Sequence, residues 1–176
     1  MSISSGSIEK NLSLLKKQYD KAMSSSRMDA SLEAALYSKF ALLEFCGWLE
    51  ETVDKILFDY IDRTITNIAV RKTIKEEIIN RVYGFKYKEE FRPLFEKIIG
   101  AGNFQHIISR LASLRGRDEL LKNKLAELTK ARNRAAHTHH IKGVTPNYDA
   151  PSTTIENFKK LKPILYSIER MVKKMN

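Results

Sequence analysis

Apolar residues recur every three or four positions along most of this chain, which is the period of an α-helix. The spacing predicts a first helix over residues 7–23 and a long second helix over roughly 30–68. At 1.5 Å per residue the second helix would be about 58 Å long. Residues 1–6 show no such period, and we expect them to be frayed.

The rest of the chain predicts shorter helices. Asn103 is a candidate N-cap, and Thr153 with Glu156 forms the pattern of a capping box before the last helix. Residues 138–152, with their Pro, Gly and Asn-Tyr-Asp content, predict a loop. One further predicted helix ends near Gly84. Four more cover residues 87–100, 103–114, 118–137 and 154–174.

No convincing pair of strands and no internal repeat interrupts this helical pattern. The fold class is therefore all-α, and 176 residues fit a single domain over 1–176 with a sizeable core. The single cysteine, Cys46, excludes an intramolecular disulfide and fits a reducing compartment. Neither a secretory signal nor a run of about 18 apolar residues is present, so we expect a cytoplasmic protein without a membrane span.

Charge favours a polyanionic partner. Lys and Arg outnumber Asp and Glu by 31 to 21, which gives a net charge of +10 at pH 7. Such an excess favours nucleic acid or an acidic membrane surface. The last helix carries many lysines opposite an apolar side, so it either packs in a bundle or lies on an anionic membrane.

The candidate chemistry lies in residues 128–140, "LTKARNRAAHTHH". At about 100° per residue, Arg132 continues the apolar stripe of Leu121, Leu125 and Leu128. Asn133 and His137 are four residues apart, so the amide can orient the imidazole through a hydrogen bond.

Two interpretations of this basic segment stay open. Cations in a last helical turn interact favourably with the helix dipole, worth about 0.3–1 kcal/mol each, and an Arg at the core boundary can simply snorkel. Alternatively, Lys130 and Arg134 flank a site that handles phosphate. His titrates near neutral pH, and Arg binds phosphate oxygens with two parallel donors. The candidates for RNA contact are Lys130 and Arg134.

The stretch "RNRAAH", residues 132–137, resembles the Arg-polar-x-x-x-His signature of the HEPN superfamily (higher eukaryotes and prokaryotes nucleotide-binding domains). "LLEFCGWLEETVD", residues 42–54, is similar to the long early helix of prokaryotic members. The resemblance implies an up-and-down helical bundle that pairs as a homodimer. Many members are metal-independent endoribonucleases, including toxins and defence effectors, and others are non-catalytic binding modules.

The resemblance also implies roles for individual residues and partners. Arg132 would bind phosphate, Asn133 would be the auxiliary polar residue and His137 the acid–base residue. Members often place an acidic residue on an early helix near the site, for which Glu44 and Glu51 are both candidates. The implied partners are RNA, a second copy of the chain and, in toxin systems, an antitoxin or regulatory protein; no cofactor is implied.

The chemistry explains why a dimer is expected. Cleavage by the RNA 2′-hydroxyl needs a base, an acid and a cation, and one motif supplies only one His and one Arg. Arg132 and His137 point about 140° apart on an unbroken helix. They meet at one phosphate if the helix end loosens or if two copies grip the RNA. The alternative is a non-catalytic module binding RNA, nucleotide or protein through the same cleft, or a chance match in a structural scaffold.

Two other segments carry possible chemistry. His137, His139 and His140 form a short histidine cluster, but zinc needs three or four converging ligands, so we predict no metal site. Residues 81–92 interleave aromatic and basic side chains, which serve either as core and loop anchors or as a stack for single-stranded bases.

Overall fold

The computed structural model describes residues 3–137 and 147–175, and all regular structure within those residues is helical. The all-α prediction is therefore confirmed, including the long early helix, which has 35 residues. The elements are α1 Gly6–Met23, α2 Ala30–Thr64, α3 Ile68–Ile74, a π-helical segment Lys75–Ile79, a second one Tyr87–Phe91, α4 Arg92–Ile99, α5 Ala101–Ser113, α6 Arg117–His137 and α7 Pro151–Lys173.

Two predicted helix limits were wrong where asparagine side chains decide the outcome. The long helix ends at Thr64, not at residue 68, since the Asn67 side chain accepts a hydrogen bond from the Val70 amide (3.2 Å) and starts α3. Asn103 is not an N-cap. It lies inside α5, and its side-chain amide donates to the Ile99 carbonyl (2.8 Å), which is left free at the end of α4.

The last helix begins earlier than predicted. Pro151 is its first residue, a position where the missing N–H of proline costs nothing. Thr153 and Glu156 are therefore inside the helix, and the predicted capping box does not mark its start. Of the predicted loop over 138–152, residues 147–150 are non-helical, and residues 138–146 lie outside the described residues.

The described residues divide into two compact units. The first contains residues 3, 49–129 and 161–175. Within it, Phe95 packs against Phe91 and Phe104, with ring centroids 4.7 and 5.7 Å apart. The apolar side of α7 in this unit is buried, which favours packing in the protein over lying on a membrane; its members are Leu161, Leu165, Ile168 and Val172. The organisation as one domain stays a prediction.

The chain is anchored close to its start, contrary to the expected fraying. Ile3 is buried, and its amide donates to the carboxylate of Glu169 on α7 (3.1 Å). Lys173 donates to the same carboxylate oxygen at 2.6 Å. Glu169 is itself buried, so this carboxylate satisfies a buried backbone donor and also pairs with a partly exposed cation.

The second unit contains residues 4–48, 130–137 and 147–160. Its aromatic core is built around Trp48, whose ring centroid lies 6.1 Å from that of Phe45 and 5.0 Å from that of Phe158. The indole N–H donates to the Ser4 carbonyl (3.1 Å), so the polar edge of this buried ring is satisfied. The candidate motif belongs to this unit.

Candidate functional site

The end of α6 positions Arg132 as the sequence predicted. The leucine stripe of this helix is fully buried through Leu128, and Ala135 is buried two turns further on. Arg132 lies between them on the same side and is half-buried. Its guanidinium is therefore carried at the edge of the core, and not on the fully exposed side of the helix.

His137 and Asn133 are both exposed, at the last residue of α6 and one turn before it. The expected hydrogen bond between their side chains does not form: the structure shows none between these two described residues. A helix end in which the imidazole faces water leaves the ring free to meet a ligand. It also means that Asn133 does not orient the imidazole in this structure.

The helix stays α-helical through His137, which bears on how the motif can act. Loosening of the helix end was one of two routes by which Arg132 and His137 could converge. Because the helix is unbroken to His137, their side chains leave it about 140° apart. One copy of α6 therefore presents these two groups in different directions.

Arg134 has an aromatic partner that sequence analysis missed. The central carbon of its guanidinium lies 6.0 Å from the centroid of the Tyr148 ring, in the geometry of a cation–π contact. Tyr148 is buried, and its hydroxyl has no hydrogen-bond partner among the described residues. The signal in the sequence was an isolated aromatic in the polar stretch before α7. Lys130, the other flanking cation, is exposed.

The two candidate carboxylates occupy different settings, although both are exposed on α2. Glu44 belongs to the same unit as the motif and accepts a hydrogen bond from the Asn11 side chain (3.0 Å). Glu51 belongs to the first unit, where its negative charge and that of Glu50 both act on Asp54. Burial, with smaller contributions from these two carboxylates, raises the pKa of Asp54 to about 6.

A groove of about 410 Å³ adjoins Glu44 in the second unit. Its walls come from α1 and α2 and are largely apolar. Leu14 and Phe40 are 56% and 47% exposed, values that are high for side chains of this size and type. The other residues that line the groove are Asn11, Leu15, Leu43 and Glu44. This groove places an apolar surface next to the candidate carboxylate.

Within 3–137 and 147–175, no three or more His, Cys, Asp or Glu side chains are grouped so that they could hold a metal ion. His139 and His140, which the histidine cluster would need, lie outside the described residues. No helix in the described part of the chain has the length and apolar character needed to span a membrane.

Comparison with known families supports the resemblance seen in the motif. A family model described as RiboL-PSP-HEPN matches residues 7–174, a span that includes the whole "RNRAAH" segment. HEPN domains are associated with nucleotide binding and RNase-like activity. Searches of curated proteins and of solved structures returned no match.

Proposed function

Because this chain belongs to the RiboL-PSP-HEPN family, we propose that it is a metal-independent endoribonuclease that acts as a homodimer. The observation that carries the proposal is the unbroken α6, which holds Arg132 at the core boundary and exposes His137 at the helix end. The two groups cannot converge from one helix, and a second copy related by two-fold symmetry supplies the missing group.

The reaction follows from the chemistry of the two side chains. The His137 imidazole of one copy accepts the proton of the RNA 2′-hydroxyl, and the 2′-oxygen forms a bond to phosphorus. The bond from phosphorus to the 5′-oxygen breaks, and protonated His137 of the second copy gives its proton to that oxygen. Arg132 binds the non-bridging oxygens and stabilises their developing charge. The products are a 2′,3′-cyclic phosphate and a 5′-hydroxyl.

The remaining site residues have supporting roles in this proposal. Asn133 turns toward His137 or the RNA when substrate binds, and Lys130 and Arg134 contact neighbouring phosphates. Glu44 is the better supported of the two carboxylates because it shares a unit with the motif. The groove beside it supports dimer formation, since a second copy would cover the exposed Leu14 and Phe40.

Cleavage of labelled RNA by purified protein tests the proposal. His137→Ala and Arg132→Ala should each lower the rate by about 10²-fold or more, as expected for loss of an acid–base group or of a phosphate-binding cation. His106→Ala is the matched control, because His106 is an exposed histidine on α5 outside the motif, and this variant should retain full activity. Chelators should have no effect. Full activity in His137→Ala would refute the assignment.

Mixing of subunits tests whether both copies contribute. Unsubstituted protein is allowed to exchange subunits with increasing amounts of His137→Ala protein. If the cleft needs His137 from both copies, activity falls with the square of the unsubstituted fraction. A linear fall means that each copy cleaves alone, which contradicts the composite site.

A second candidate function is a non-catalytic module that binds RNA, nucleotide or a protein partner. The observation that favours it is the missing hydrogen bond between Asn133 and His137, which leaves the imidazole without an orienting hydrogen bond among residues 3–137 and 147–175. Binding of RNA without cleavage by the unsubstituted protein would support it. We include in the nuclease proposal a role as a cytoplasmic toxin or defence protein that an antitoxin holds inactive. Such a role requires a catalytic activity that the antitoxin can restrain.

A further inference from the structure

A second groove, separate from the "RNRAAH" motif, lies in the first unit. It has a volume of about 930 Å³ and is formed by the second π-helical segment, α4, α5 and α6. Its walls include four cationic side chains and two carboxylates. The cations are Lys86, Lys88, Arg92 and Lys122, and the carboxylates are Glu89 and Glu96. The groove therefore carries an excess of positive charge.

Two of the four groove cations, Lys86 and Arg92, are held by local pairs that are weak enough to exchange. Lys86 pairs with Glu89, and Arg92 donates to Glu96 at 2.8 Å, in each case one turn apart and with much of the cation exposed. Pairs of this kind contribute only about 0–1 kcal/mol. The structure shows no ion pair for Lys88 among the described residues. A phosphate group can therefore recruit Lys86, Lys88 and Arg92 at little cost, whereas Lys122 is held by both Asp118 (3.2 Å) and Glu119 (2.6 Å).

An aromatic side chain lies among these cations. Tyr87 lines the groove, is half-buried, and stacks on Phe91 with the ring centroids 6.0 Å apart and the planes at 20°. The Lys122 ammonium lies 5.8 Å from the centre of the Tyr87 ring. Packing on Phe91 fixes the plane of the ring, and a fixed ring beside cations suits an unpaired base attached to its phosphate.

The other aromatic residues of this segment have different roles. Phe85 and Phe91 are buried in the core, as the anchoring interpretation of residues 81–92 predicted, and Tyr83 is exposed. Of the four aromatic residues of this segment, only Tyr87 lines the groove; Phe104 of α5 lines it too, but that ring is buried. Sequence alone could not single it out, because all four aromatics alternate with basic residues in the same way.

We propose that this groove binds single-stranded RNA, with one base stacked on Tyr87 and the flanking phosphates held by Lys88 and Arg92. Gln105 and the two carboxylates in the wall are acceptors for 2′-hydroxyl and base amino donors, which favours RNA over DNA. Binding here does not involve Arg132 or His137, so the proposal stands whether or not the protein cleaves RNA.

Filter binding of a short single-stranded RNA to His137→Ala protein tests the proposal without cleavage. Adding Lys88→Glu and Arg92→Glu should weaken binding at least tenfold and lower the slope of log affinity against log salt by about 2, one for each lost phosphate contact. The matched control carries Lys97→Glu and Lys174→Glu. These exposed lysines of the same unit do not line the groove, so the same change in charge should weaken binding less than threefold.

Photocrosslinking locates the stacked base. RNA containing 4-thiouridine should crosslink to the peptide that contains Tyr87, and Tyr87→Ala should remove the crosslink while Tyr87→Phe keeps it. If the Lys97→Glu and Lys174→Glu control weakened RNA binding as much as the groove variant, the groove would not be the binding site. Equal affinity for DNA of the same sequence would refute the RNA assignment, and efficient competition by duplex RNA would refute stacking. Binding of RNA in the groove by the unsubstituted protein, without any cleavage, would contradict only the proposed nuclease.

Discussion

The guanidinium of Arg134 lies over the ring of Tyr148, with 6.0 Å between the central carbon and the ring centroid. Tyr148 comes from the segment just before α7, and only 8% of it is exposed. Its hydroxyl is buried without a hydrogen-bond partner in the described structure. The ring, and not the hydroxyl, is the part of Tyr148 that contacts Arg134.

Tyr148→Phe should therefore stabilise the protein by about 1 kcal/mol, because a buried hydroxyl without a partner costs free energy. Tyr148→Ala should lose about 3 kcal/mol or more, since it removes a buried ring. Urea unfolding of both variants measures these changes. A loss of stability in Tyr148→Phe would show that the hydroxyl has a partner, and would contradict this account.

Glu169→Ala should destabilise the protein by about 2–3 kcal/mol. The substitution leaves the buried Ile3 amide without its acceptor and removes one partner of the Lys173 ammonium. Glu169→Gln keeps an acceptor for the amide and should lose less. Lys173→Ala is the control: this side chain is 37% exposed, so its removal should cost under about 1 kcal/mol. If urea unfolding showed equal losses of stability for Glu169→Ala and Lys173→Ala, the hydrogen bond from the Ile3 amide to Glu169 would not stabilise the fold as proposed.

Asp54 should make stability depend on pH between about 4 and 6. Its pKa is 3.8 when unfolded and about 6 in the fold, where burial disfavours the charge. The folded state therefore holds a proton more tightly, and stability falls as pH rises through this window and levels off above it. Asp54→Asn should raise the free energy of unfolding at pH 8 by about 1–3 kcal/mol.

Urea unfolding at pH 5 and pH 8 tests this dependence. The difference between the two values should shrink in Asp54→Asn. The same substitution at Asp149, an exposed carboxylate, should leave the difference as it is in the unsubstituted protein. An unchanged difference in Asp54→Asn would assign the pH dependence to another group.

Gly84 should not tolerate a side chain. Its φ of +132° is a conformation that L-residues rarely adopt, and an added Cβ would collide with the Glu90 carboxylate. That carboxylate also accepts a hydrogen bond from the Lys86 amide (2.6 Å), so it cannot move away freely. Gly84→Ala should cost about 1–3 kcal/mol.

Gly102→Ala provides the control for this prediction. Gly102 lies in α5 with no described atom within 4 Å of an added Cβ. Alanine there should be neutral or stabilise by up to about 1 kcal/mol through helix propensity. Gly84→Ala should therefore lower the free energy of unfolding, while Gly102→Ala should raise it or leave it unchanged.

Phe40→Glu should convert the proposed dimer to a monomer. The substitution places a charge in the groove beside Glu44, where burial by a second copy would be costly. Light scattering after size exclusion measures the mass. Met28→Glu is the matched control, because Met28 is fully exposed and does not line the groove. A stable dimer in Phe40→Glu would place the contact between copies elsewhere.

Helix periodicity predicted much of the fold, and local capping decided where prediction failed. α1 was predicted to within one residue of its limits, because its apolar spacing is regular from start to end. Asn67 and Asn103 show the limit of local patterns. Both are asparagines near a helix start, yet only Asn67 caps, and the choice depends on which backbone groups the neighbouring helix leaves free.

The candidate site was predictable only where its residues are close in sequence. Arg132, Asn133 and His137 share one helix, so spacing alone fixes their directions. Tyr148 meets Arg134 from another part of the chain, and no spacing rule links the two. The raised pKa of Asp54 depends on burial, which its position in an acidic stretch did not reveal.

Trp48 is the only tryptophan of the chain, and its indole is enclosed within the second unit. Its fluorescence therefore reports on that unit, whereas circular dichroism follows helices of both. Coincident transitions by the two methods would mean that the units unfold together. If the fluorescence changes at a different urea concentration from the circular dichroism, the unit that carries the motif unfolds separately. Trp48 fluorescence will then also report whether that unit stays folded during subunit exchange.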